Sequence, residues 1–131
     1  MGTWGHGPFD NDDAGDWVWS LEESDDFSVL QKTLDGIVNA GGVYLESPAC
    51  CEALAAAEVV AALLGRPTTE LPDEVRSWLR GRAVPPGLVG LAKQAVATIK
   101  AKSELQELWQ ETEDYDVWSK SVVDLESRLV G

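Results

Sequence analysis

Residues 47–64 read SPACCEALAAAEVVAALL, and no side of that run is polar. Ser47 and Pro48 match a helix N-cap with a first-turn proline, and Gly65 and Pro67 end the helix they open. A helix without a water-facing side belongs at the centre of a bundle. Ala53, Ala56, Ala57, Ala61 and Ala62 keep its surface small, so that neighbouring helices can approach closely. The rest of the chain must therefore wrap this helix. Glu58 falls inside the apolar stretch and needs a cationic partner there or a place at the helix edge. Arg76, Arg80 and Arg82 are the candidate partners.

The flanking segments carry helical stripes suited to that task. Ala14, Trp17, Val18 and Leu21 recur at i, i+3, i+4 and i+7, behind an N-cap drawn from Asp10, Asn11 and Asp12. Ser24 to Asp26 restart a helix whose stripe is Phe27, Leu30, Leu34, Ile37 and Val38, ended by Asn39, Ala40, Gly41 and Gly42. Val43, Tyr44 and Leu45 form a short extended piece or loop, too short for a sheet of its own. Pro72, Asp73 and Glu74 open a helix with Val75, Trp78 and Leu79 inward and Arg76 and Arg80 outward, broken by Gly81 and by Pro85, Pro86 and Gly87. Leu91, Ala92, Ala95, Val96 and Ile99 line the next, over about 88–102. Ser103 with Gln106 matches a capping box ahead of Leu105, Leu108 and Trp109. Asp114 or Asp116 caps a last helix with the stripe Trp118, Val122, Leu125 and Leu129. The expected fold is all-α: one domain over 1–131, an irregular or orthogonal bundle of about six to seven helices.

The run 2–21, GTWGHGPFDNDDAGDWVWSL, is of another character. Gly2, Gly5, Gly7 and Pro8 do not suit a regular helix. Trp4 and Phe9 alternate with them, and two docked aromatics would bury a large area. An ordered, irregular N-terminal arm pinned by Trp4 and Phe9 is expected. Its first sixteen residues, GTWGHGPFDNDDAGDW, resemble the opening of a bacterial family catalogued as a domain of unknown function, number 4259. EALAAAEVVAALLGRP at 52–67, LPDEVRSW at 71–78 and SELQELW at 103–109 are similar to later parts of the same family. The resemblance implies a small, mostly helical, cytoplasmic bacterial protein, and it supplies no catalytic residues to carry over.

The formal charge of −13 argues against nucleic acid and anionic membranes as partners, since both select basic footprints. The charge is uneven: residues 1–50 carry ten acids against Lys32 alone, whereas 66–102 carry seven bases against three acids. The basic middle either packs beside the acidic ends and offsets them, or leaves the N-terminal acidic surface to meet a basic partner. No apolar run is long enough to span a bilayer. No basic residue precedes an apolar core at the N-terminus, and His6 stands where a myristoylation signal takes Ser or Thr, so cytoplasmic residence is expected. Cys50 and Cys51 are adjacent, a geometry that disfavours a mutual disulfide, and they read as two small buried hydrophobes.

No motif carries chemistry. HExxH, GxxxxGK[ST], GxGxxG and CxxC are all absent. His6, the single histidine, lies in a glycine-flanked loop, with no nucleophile motif around any serine. No catalytic or cofactor-binding residue is assigned. Asp10, Asp12, Asp13 and Asp16 are the candidate metal ligands, of the kind a weak Ca²⁺ or Mg²⁺ site would use. An EF-hand register begins with Asp10, Asp12 and Gly15 at positions one, three and six, then fails at Ala14 and at Leu21, where the bidentate glutamate belongs. The alternative is that these aspartates cap a helix and cover a solvated face. Trp17 and Trp19 differ by two positions, so on a helix they point to different sides and one must lie off the core.

The favoured expectation is a non-enzymatic protein-binding or regulatory module, by analogy with small immunity-type inhibitors. Asp12, Asp13, Asp16 and Trp19 would be its contact residues and a basic protein its partner. A metal-dependent hydrolase using the aspartate cluster and a homo-oligomeric structural protein are the alternatives.

Overall fold

A computed structural model describes residue 9 and residues 12–24, 26–40, 45–68, 71–85, 87–101 and 103–129. Among these residues there are seven helices and no strand. They are α1 (Asp12–Glu22), α2 (Ser28–Val38), α3 (Ser47–Leu63), α4 (Asp73–Leu79), α5 (Leu88–Ala101), α6 (Glu104–Gln110) and α7 (Tyr115–Arg128). The fold is therefore all-α, as the periodicities predict. The arm at 1–8, with Trp4 and His6, lies outside the described residues, as do Asp10 and most of the 43–45 segment.

The apolar run occupies the centre. Every residue from Ala53 to Ala61 is buried, and α3 packs against each of the other six helices. The predicted stripes are the buried faces: Ala14, Trp17, Val18 and Leu21 on α1, Leu30, Leu34 and Ile37 on α2, Trp118, Val122 and Leu125 on α7. Phe27 and Val38, at the ends of the α2 stripe, are only half-buried.

The helix ends depart from expectation in instructive ways. Ser47 is the first residue of α3 rather than its cap, and Pro48 lies in the first turn. The free backbone N–H of Ser47 donates to Glu104 Oε1 at 2.7 Å, so α6 caps α3 from 57 residues away. The return contact, Glu104 N–H to Leu45 O at 2.9 Å, closes the clasp. At the other end Gly65 takes φ +84°, where a Cβ is disfavoured. Its N–H donates to Ala62 O and that of Arg66 to Ala61 O, the two bonds of a Schellman stop. Half of the capping box forms at α6: Ser103 Oγ accepts from Gln106 N–H at 3.0 Å, while its hydroxyl donates to Ile99 O.

Glu58 is buried, with 1% of its surface exposed, and it is paired. The partner is Arg128 at the end of α7, not Arg76, Arg80 or Arg82. Arg128 Nη1 and Nη2 meet the two carboxylate oxygens at 2.7 and 3.0 Å. Its Nε reaches Asp124 Oδ2 at 2.8 Å, and Nη1 also donates to Arg66 O. The hydrogen bond to Glu58 is the main reason the guanidinium pKa is raised above its ordinary value. Arg76 and Arg80 are exposed, and Arg82 lies over the Trp78 ring at 4.2 Å.

Removing one member of a buried ion pair deprives the other of its counter-charge. Arg128→Ala should lower unfolding free energy by about 3–5 kcal/mol, measured by urea denaturation. Glu58→Leu combined with Arg128→Met should recover most of that loss.

Candidate functional site

The orientation of α1 decides what this molecule shows to solvent. Trp17 enters the core and its indole Nε1–H donates to Thr33 Oγ1 on α2 at 2.8 Å. The burial of Ala14, Trp17, Val18 and Leu21 sets the roll of α1, and that bond adds to it. Trp19, about 200° further round at 100° per residue, is thereby turned outward with 72% of its surface exposed. Asp12, Asp16 and Glu23 share its side at helical spacing and are exposed, and so are Gly15 and Glu22.

The aspartates are therefore spread around the helix. Asp12 and Asp16 stand on the outer face beside Trp19, whereas Asp13 is half-buried toward α3. Among the described residues no three His, Cys, Asp or Glu side chains gather where they could hold a metal ion. Asp10, the fourth proposed ligand, is outside those residues.

Asp13 and Asp16 do act on α3 through their charge. Glu52 is held above its ordinary pKa, first by burial, then by repulsion from Asp13 and Asp16. Burial likewise pushes the Cys50 thiol up to about 11 and the Cys51 thiol up to about 12, with Asp13 adding to the latter. Both cysteines are free and buried, and thiols so placed are poor nucleophiles at neutral pH.

A cleft of about 440 Å³ opens beside Trp19, between α1 and the start of α4. Phe9, Val18, Trp19 and Pro72 give it apolar walls. Glu22 stands on the α1 side, Glu74 on the α4 side, and Gly15 opens one end. Neither glutamate forms an ion pair with another described residue. Glu22 could have been found from sequence, since it follows Trp19 by three on one helix. Glu74 could not, because its approach depends on how α4 packs on α1. A second cavity, about 270 Å³ beside Phe27, Asp35 and Leu91, brings only one carboxylate and no exposed aromatic.

The site thus combines an exposed indole with a cleft lined by both apolar side chains and two glutamates. It holds no nucleophile–base pair and no converging metal ligands among the described residues. A family model described as Domain of unknown function (DUF4259) matches residues 2–121. Neither a curated protein nor a solved structure matches the chain. No helix among the described residues is long and apolar enough to cross a membrane.

Two measurements check the electrostatics. A raised carboxyl pKa means that the folded chain keeps its proton to higher pH than the unfolded chain. The stability from Glu52 is thus present at acid pH and lost as pH rises from 4.5 through the folded value. Glu52→Gln should therefore raise the melting temperature at pH 7, and the gain should vanish as pH falls below 4.5. Native protein at pH 8 should resist thiol labelling by a disulfide reagent, and both cysteines should react fully once urea unfolds it.

Proposed function

Given that the chain belongs to the DUF4259 family, a domain of unknown function, we propose that it is a non-enzymatic protein-binding or regulatory module. It acts in the cytoplasm, and the outer face of α1 recognises a basic protein. The observation that carries this reading is Trp19, 72% exposed and set among exposed carboxylates.

An exposed large apolar side chain forgoes on the order of 1.5–3 kcal/mol of burial. Like charges at i, i+4 on the same helix lose a few tenths of a kcal/mol more. Asp12, Asp16, Trp19 and Glu23 combine both losses on one face. Both become gains against a basic, partly apolar surface. The indole supplies the buried anchor typical of interface centres, and the carboxylates steer encounter and reject acidic surfaces.

The test is capture of a binding partner by the tagged chain, with mild crosslinking and mass spectrometry. A variant carrying Asp12→Asn, Asp13→Asn and Asp16→Asn, with its fold checked by circular dichroism, is the control. One basic protein should be retained by the native chain and lost by the control. Its affinity should fall about tenfold or more between 50 and 300 mM salt, because exposed charges are screened over that range. Retention of the same protein by both chains, or of none by either, would remove the reading. Sedimentation of the chain alone covers the competing case, self-association through Trp19.

A further inference from the structure

The cleft beside Trp19 has a more specific chemistry than an acidic face. Its lining includes two aromatic residues, Phe9 and Trp19, with Val18 and Pro72. Its carboxylates, Glu22 and Glu74, come from two separate helices and have no cationic partner among the described residues. An aromatic face attracts a cation through its quadrupole, and adjacent carboxylates add charge and hydrogen-bond acceptors. Arginine fits this combination best, because its planar guanidinium stacks on an indole while its edge donates to carboxylates.

We propose that this cleft receives one arginine side chain from a segment of the partner protein. The aliphatic stem lies along Phe9 and Pro72, and the guanidinium stacks on Trp19 between Glu22 and Glu74. The inference rests on the binding-module reading and names the group which that surface recognises. The occupant follows from charge complementarity: an acidic rim around apolar walls excludes an acidic or purely apolar segment. At about 440 Å³ the cleft is large enough for one long side chain and a little of its backbone.

Gly15 gives the proposal a clean handle. It sits within α1, one turn before Trp19, where glycine weakens a helix relative to alanine. A Cβ built there meets no atom of the described residues within 4 Å. Among the described residues neither the backbone nor the packing requires glycine at this point, and Gly15 lines the cleft that a side chain here would narrow. Gly36 on α2 is also helical, exposed and open, but it lines no part of the cleft.

The probes are three amidated peptides: four repeats of Arg-Ala-Ala, the same peptide with lysine, and the same peptide with uncharged citrulline. Binding is read by the Trp19 indole N–H resonance, assigned from its loss in Trp19→Phe. The arginine peptide should shift that resonance, the lysine peptide should bind at least threefold more weakly, and the citrulline peptide should not bind. Gly15→Leu should weaken arginine-peptide binding at least tenfold without lowering the melting temperature. Gly36→Leu should leave binding unchanged, and Glu74→Gln should weaken it at least threefold.

Equal binding of the citrulline peptide, or full affinity in both Gly15→Leu and Glu74→Gln, would overturn the cleft assignment. If Trp19→Ala or Asp16→Asn still weakened the arginine peptide in that case, the acidic face would stand as a binding surface without the cleft. If no substitution on α1 or at Glu74 altered binding of any peptide, the cleft and the binding-module reading would fall together.

Discussion

A helix with no side suited to water can persist only if other parts of the chain cover it on every side. In this protein α3 sets that requirement, and the other six helices meet it. Its alanines leave room for close approach, and larger residues on its neighbours fill the space: Leu21, Leu30, Leu34, Ile99 and Leu125 are all fully buried. The same enclosure makes Glu58 dangerous. A carboxylate surrounded by apolar residues is tolerated only with a counter-charge and its hydrogen bonds, and Arg128 supplies both in a two-bond fork. The burial of α3 and the docking of α7 are therefore one event.

The outer surface derives from the core at one remove. Because Ala14, Trp17, Val18 and Leu21 are buried, with Trp17 hydrogen-bonded to Thr33, the side of α1 opposite its apolar stripe is turned to solvent. That side carries Asp12, Asp16, Trp19 and Glu23. On the flank facing α3, burial first and then the charge of Asp13 raise the pKa of Glu52. The acidic charge of the N-terminal third is thus only partly spread into water. Asp13 is held against the fold, whereas Asp12, Asp16 and Glu23 are displayed beside an exposed indole.

Features that depend on neighbours three or four residues away are legible in the sequence. The stripe of α1, the outward turn of one of its two tryptophans, the Ser103 cap and the central place of α3 are all local in origin. Features that depend on residues far apart in the chain are not. Glu104 caps α3 because α6 happens to cross its N-terminus, and no spacing near Ser47 announces it. Position in the chain points Glu58 to Arg76, Arg80 and Arg82, whereas Arg128 prevails because α7 brings its last turn alongside α3. Glu74 joins the Trp19 cleft for the same kind of reason. Charge pairing across a bundle is set by which helices touch, and that is decided by apolar packing first.

The Glu58–Arg128 pair also bears on how the chain is made. Its two halves are seventy positions apart, and the acid is synthesised first. A compact state formed without Arg128 would bury Glu58 lacking that counter-charge or would protonate it, and either course costs free energy. Compact states that lack α7 are therefore less favourable than the full bundle, and loss of the last turn of α7 is felt at the centre of the fold, through Glu58.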